Sequence, residues 1–199
     1  MATPTWPATL RPSHVEWRLV SNTGKFVSPF TGSVESQERQ GARWLVTLSY
    51  DQWRRHEIAE YEAFIVALRG CAGRFYLWHH ARENPRGLVG GAPLVMGADQ
   101  TGDSLITDGW TPSLNGVLLP GDHIGVAGEL KMVVEQADSD ALGQSTLRIE
   151  PPIRTIPSDN TALILTQATG LFMLVDDEQA GFSHDGPLTG FTIQVMEDF

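Results

Sequence analysis

The sequence predicts a mainly β protein: an N-terminal β-sandwich with one α-helix, completed by C-terminal strands, plus a small inserted antiparallel β-barrel. Three observations point there. Much of the first fifty residues alternates apolar and polar side chains with the two-residue period of a half-buried strand. A single stretch, residues 53–68, switches to a helical period. From residue 93 onward the apolar runs are short and separated by Gly, Pro, Asn and Asp, the spacing of a small barrel or sandwich.

Taken in order, residues 14–20 (HVEWRLV) alternate, residues 21–24 (SNTG) carry turn chemistry, and residues 25–30 run extended until Pro29, which together predict a hairpin. Residues 31–36 and 42–50 continue the sheet. In the helical stretch Ile58, Tyr61, Ile65 and Leu68 share one face; Asp51 is placed to cap its start and Gly70 lies just past its end. Residues 74–79 return to strand. The turn-rich segment from Arg82 to Gly97 then reads as a boundary. Short strands are predicted at 93–96, 104–106, 116–119, 123–126, 130–135 and 145–149, with Pro151 and Pro152 closing the unit. The last candidates, 162–166, 171–175 and 191–196, are too few for a third domain and are expected to return to the first sheet. The division is therefore 1–89 with 153–199 for the sandwich and 90–152 for the inserted barrel.

Of 199 residues, 41% are hydrophobic and 19% charged, enough apolar side chain to bury a sizeable core and too little charge for a disordered chain or a coiled coil. The net charge of -10 disfavours a phosphate backbone or an anionic lipid surface, and lysine occurs only at Lys25 and Lys131. No sequence-specific nucleic acid and no membrane insertion are expected. The lone Cys71 points to synthesis in a reducing cytoplasm, and the first twelve residues lack an apolar run of signal-peptide length. Charge is also segregated: residues 1–89 carry +3, residues 90–152 carry -7 and residues 153–199 carry -6. Opposite halves suit head-to-tail packing of like subunits; a solvated surface without a partner is the other reading.

No catalytic constellation emerges. His79, His80 and Glu83 make the nearest approach to a metal cluster, with His123 as a distant fourth, but adjacent histidines on a strand point to opposite faces. Asp122 beside His123 looks like half of a catalytic pair, yet Pro-Gly-Asp before an apolar run is turn chemistry. Cys71 follows a helix end, where nothing lowers its pKa, and neither Ser113 nor Ser183 sits in a Gly-x-Ser-x-Gly elbow. The glycine-rich stretches 70–73 and 87–91 lack the setting of a phosphate loop. No cofactor and no metal are expected. Trp17, Trp44 and Trp78 alternate within strands and read as core, whereas Trp6 and Trp110, flanked by Pro or Gly, read as exposed partner-contact aromatics.

Several segments together resemble a known family. Residues 28–33 (SPFTGS), Trp44 in a strand, the helix ending 62–70 (EAFIVALRG), then 73–77 (GRFYL) and 84–87 (NPRG) are similar to tail-tip proteins of long-tailed bacteriophages. Residues 97–102 (GADQTG), 109–113 (GWTPS), 119–122 (LPGD) and 149–154 (IEPPIR) continue the likeness over nearly the whole chain. In architecture the chain most resembles the distal tail proteins, which pair an N-terminal sandwich bearing one helix with a second, barrel-like domain. The resemblance implies a non-enzymatic virion component: a homo-oligomeric ring, six-fold by preference with three-fold as the other known symmetry. Its partners would be the tail tube protein and the tail-tip hub, baseplate or fibre proteins. A single cysteine departs from those tail-tip proteins that hold a cysteine-ligated cluster.

On this reading Arg39, Arg43, Arg54 and Arg55 meet a neighbour's Asp176, Asp177 and Glu178, and some later carboxylates line a lumen through which DNA slides. Two other functions compete: a carbohydrate-binding sandwich contacting host glycans through Trp110, and a metal-dependent enzyme built on His79, His80, Glu83 and His123.

Overall fold

The computed structural model describes residues 3–9, 11–179, 181–182 and 188–198. In chain order its elements are β1 (His14–Val20), β2 (Thr23–Val27), β3 (Val34–Glu38), β4 (Arg43–Arg54), α1 (Arg55–Leu68), β5 (Phe75–Trp78), β6 (Gly91–Val95), β7 (Gly102–Trp110), β8 (His123–Val126), β9 (Glu129–Val133), β10 (Ser145–Ile153), β11 (Thr169–Leu174) and β12 (Leu188–Glu197). The fold is mainly β, with one helix against a sandwich completed by C-terminal strands, and a small antiparallel barrel.

The first sheet has the order β1-β4-β12-β11-β5, every neighbour antiparallel. Trp44, Val46, Leu48 and Tyr50 of β4 fall on one face by strand alternation, beside Phe191, Ile193 and Val195 of β12, and all are buried. One end of this face is covered by α1 through Ile58, Tyr61, Ile65 and Leu68, the predicted stripe. The other end is covered by β8 and β9 of the barrel. The opposite face, with exposed Glu16, Arg18, Thr192 and Gln194, is polar.

The helix begins later than its apolar period suggests. Residues 53–54 stay in β4 because Trp53 pairs with Thr189 and Arg54 with Leu188, and this ladder overrides the local pattern. Asp51 is thus not the cap: its carboxylate accepts from Ser13 Oγ at 2.8 Å, while Glu57 accepts from the Arg54 backbone N–H at 2.9 Å. The predicted hairpin between β1 and the following strand is also replaced. β2 pairs with β3 instead, as a separate two-stranded sheet.

The second sheet has the order β6-β7-β10-β9-β8. The strand expected at 162–166 does not return to the first sheet; residues 160–164 take another place. They lie across both outer edges of the second, Ala162 bridging Leu94 and Ile164 bridging Gly125, so the sheet closes into a barrel. Ile153 and Leu163 belong to the barrel core with Leu105, Trp110, Ile124 and Leu147, so the barrel takes residues beyond the boundary expected at 153. Residues 116–119 form no strand, only a bridge from Leu118 to Ala137.

Candidate functional site

The two modules meet where β8 and β9 approach β11 and the end of β4. Backbone meets backbone there: a Cβ on Gly170 would lie 2.9 Å from Leu130 N, and one on Gly125 would lie 2.7 Å from Thr169 O. Glycine is required at both points for this closeness. Around the contact Trp17 stacks on His79 at 4.6 Å between ring centroids, His79 lies 4.9 Å from His123, and Trp44 meets His123 at 6.1 Å. The Trp44 indole N–H donates to Leu130 O across the joint at 2.9 Å.

Beside these rings the joint buries four charged side chains. Lys131 is fully enclosed and pairs with Glu129, and its Nζ also donates to Pro152 O at 2.8 Å. Arg154 reaches Glu129 at 3.4 Å and Glu197 at 2.9 Å. Glu197, on β12, accepts from Leu130 N at 3.0 Å and from Trp44 N at 3.3 Å, and Glu129 accepts from Thr155 N at 2.6 Å. Arg154 completes the crossing by donating to Ala42 O at 2.8 Å. By formal charge two carboxylates face two cations, while burial outweighs the partners of two of them, holding Lys131 below and Glu197 above its usual range. Burial pushes Glu129 up, but Lys131 and Arg154 outweigh it and hold the carboxyl below its usual range. None of the four was singled out from sequence. The available signal was two charges two residues apart, Glu129 and Lys131, on one face of an apolar strand.

The fold brings His79 and His123 together, but neither His80 nor Glu83 joins them. Burial pushes His79 and His80 down to about 4 and His123 to about 3, which keeps all three neutral near pH 7. His80 packs against Trp78, and Glu83 pairs with Arg11 at 2.9 Å. Asp122 is used by backbone: its carboxylate accepts from Arg86 N at 2.9 Å, Leu119 N at 2.9 Å and Gly87 N at 3.1 Å, as turn chemistry predicts. Among the described residues no group of three or more His, Cys, Asp or Glu side chains is placed to hold a metal ion. Burial and then Asp177 push the Cys71 thiol up, away from thiolate. Ser183 lies outside the described residues.

Two sequence expectations are overturned. Trp6 is not exposed but 1% accessible, its indole donating to Tyr50 Oη at 2.8 Å and its ring packed among Tyr61, Phe64 and Phe75. Backbone bonds between residues 4–6 and Tyr76 tie that segment to β5 and carry the ring inward. Trp110 is 3% accessible, in the barrel core with its N–H on Thr107 Oγ1. Neither presents its ring at the surface, and the glycan reading loses the exposed platform it placed at Trp110.

The charged interface candidates lie on the surface in separate places. Arg54 and Arg55 are exposed at the start of α1, and the exposed turn Asp176, Asp177 and Glu178 sits at its far end, about 20 Å along the axis. Asp177 is partly committed, accepting from Cys71 N at 2.8 Å, a bond that holds its carboxyl below the usual range. Arg43 reaches Met196 Sδ at 3.8 Å. Arg39 lines a cleft of about 650 Å³ between the β3–β4 connection and the barrel, with Glu38, Asp103 and Glu150. Burial and then Glu38 and Asp103 raise Glu150 there. Among the described residues no helix is long and apolar enough to cross a membrane. Compared with models of known protein families and with curated proteins, the chain matches none.

Proposed function

We propose that this chain is a structural, non-enzymatic subunit of a phage tail tip: a distal tail protein whose copies close into a ring between the tail tube and the hub or receptor-binding fibres. The observation that carries this reading is the joint. Four balanced buried charges and a glycine-lined backbone contact fix the barrel to the sandwich as one block. A ring that transmits load between two other assemblies needs such a subunit, since a hinged one would lose register with its neighbours. The charge layout supports the same reading. Arginines at one end of α1 and carboxylates at the other cannot meet within one copy, but they can meet between copies related by a ring's rotation. The order of the turn motifs along the chain adds the tail-tip assignment.

The test is the mass of the purified protein by light scattering at low and at high salt. A closed oligomer that loosens with salt is expected, and Glu178→Arg, which spares the Asp177 bond, should loosen it at low salt. A strict monomer at both salt concentrations would overturn the ring.

A further inference from the structure

The two main sheets have four outer edges, and three of them are covered by the chain itself. Residues 4–6 pair with β5 through Trp6 N to Tyr76 O at 2.8 Å and Tyr76 N to Pro4 O at 2.9 Å. Residues 160–164 cover both β6 and β8, the latter through reciprocal bonds between Gly125 and Ile164 at 2.8 and 2.9 Å. The fourth edge, the outer side of β1, has no strand or bridge on it among the described residues. An open edge of seven residues is a template for another strand.

The segment suited to that edge stands a few residues away. The β2–β3 hairpin is a separate two-stranded sheet that pairs with no other strand among the described residues, and a two-stranded hairpin is marginal in water. It exposes apolar side chains on both faces: Phe26 is 63% accessible, Val27 51% and Val34 56%. Its base is clamped away from its own β1. Asn22 O accepts from Arg39 N at 2.8 Å and Asn22 Nδ2 donates to Gln40 O at 2.7 Å, so β2 cannot fold back onto the strand that precedes it.

The residues of β1 and β2 nevertheless match. In an antiparallel register with Glu16 opposite Lys25, Val15 faces Phe26 and Trp17 faces Gly24. The apolar pair Val15–Phe26 then falls on the core face with Gly24 leaving room for the Trp17 ring, and the ion pair falls on the polar face where Glu16 and Arg18 already point. We infer that β2 of one copy adds antiparallel to the open edge of β1 in a second copy of this chain, with Glu16 of one opposite Lys25 of the other. A contact of this kind is head-to-tail: repeated, it closes a ring where the rotation between copies divides a full turn and otherwise extends as a filament. The occupant is a second copy because one sequence supplies both the uncovered edge and a strand matching it in apolar pattern and charge. The inference rests on the ring reading and names the contact that builds it.

Cross-linking tests it in a Cys71→Ser background. Glu16 and Lys25 are both exposed, so Glu16→Cys and Lys25→Cys leave the fold intact, which far-ultraviolet circular dichroism checks. Mixing the two single variants under mild oxidation should yield a disulfide-linked dimer containing one of each, and the double variant a ladder of covalent oligomers. A cross-link confined to the monomer of the double variant would overturn the inference. So would a non-covalent oligomer that forms no β1–β2 disulfide, a result that leaves the ring reading standing. A strict monomer under all conditions would overturn both.

Discussion

The joint between sandwich and barrel and the β2–β3 hairpin invert the usual placement of side chains in opposite ways. At the joint Lys131 is 0% accessible; at the hairpin tip Phe30 is 95% accessible. A buried lone charge costs several kcal/mol, and an exposed aromatic forgoes roughly 1.5–3 kcal/mol of burial. The chain compensates the first within itself: Glu129 and the Pro152 carbonyl meet Lys131, and Arg154 with backbone donors from β4 and β9 meets Glu197. It leaves the second uncompensated. The difference separates two kinds of surface: one settled during folding, and one whose apolar groups no described residue covers.

The sharpest way to break this contrast is at Glu197. Glu197→Ala leaves Arg154 buried with only Glu129 as an acidic partner and strips the N–H groups of Trp44 and Leu130 of their acceptor. Removing one partner from a buried network costs about 3–5 kcal/mol. The urea midpoint should fall accordingly with little change in slope. A loss below about 1 kcal/mol would mean the joint is not held by its charges.

A second effect comes from two buried neutral histidines, His123 at the joint and His80 against Trp78. Burial holds His80 at about 4 and His123 at about 3, whereas in the unfolded chain both titrate near 6.5. The unfolded chain therefore binds more protons below that value. Stability should be full well above pH 6.5 and fall as pH drops toward 4, His80 and His123 together removing about 2 kcal/mol between pH 6.5 and 5.5 and His79 adding to the loss. Thermal unfolding against pH checks this, and His123→Phe should flatten the profile. A flat profile in the unmodified chain would place these rings in water.

How much of this was legible depended on whether the deciding partner was near in sequence. The buried stripe of α1 follows from a period spanning residues 58–68, and the Asp122 turn from three adjacent residues. Both are local, and both read correctly. The start of α1 was misread because Leu188 and Thr189, more than a hundred residues away, hold residues 53–54 in a ladder. Trp6 was misread for the same reason: its proline-flanked segment looks like a loop until β5 pairs with it. The four joint charges were invisible because Glu129 and Lys131 alone look like a solvated face. Only Arg154 and Glu197, brought in from a loop and from β12, make their burial affordable. Charge segregation was readable as a sum, but the placement of its parts at opposite ends of α1 was not.

The smallest effect on stability is expected at Phe30, and it sharpens the contrast most. The tip of the hairpin is built by backbone and hydroxyl bonds that do not involve the ring: Ser28 N to Ser33 O at 2.9 Å, Gly32 N to Ser28 O at 2.9 Å, and the Thr31 hydroxyl with that of Ser33 at 2.9 Å. Phe30→Ser should therefore change the urea midpoint of dilute protein by no more than about 0.5 kcal/mol, the range of an ordinary surface substitution. If the arm carries the contact between copies, the same variant should lower the mass seen by light scattering at assembling concentrations. Stability and assembly would then respond to different residues, Glu197 for one and Phe30 for the other. A Phe30→Ser variant destabilised by more than about 1 kcal/mol would show instead that the ring packs on its own body, and the hairpin would belong with the joint rather than opposite it.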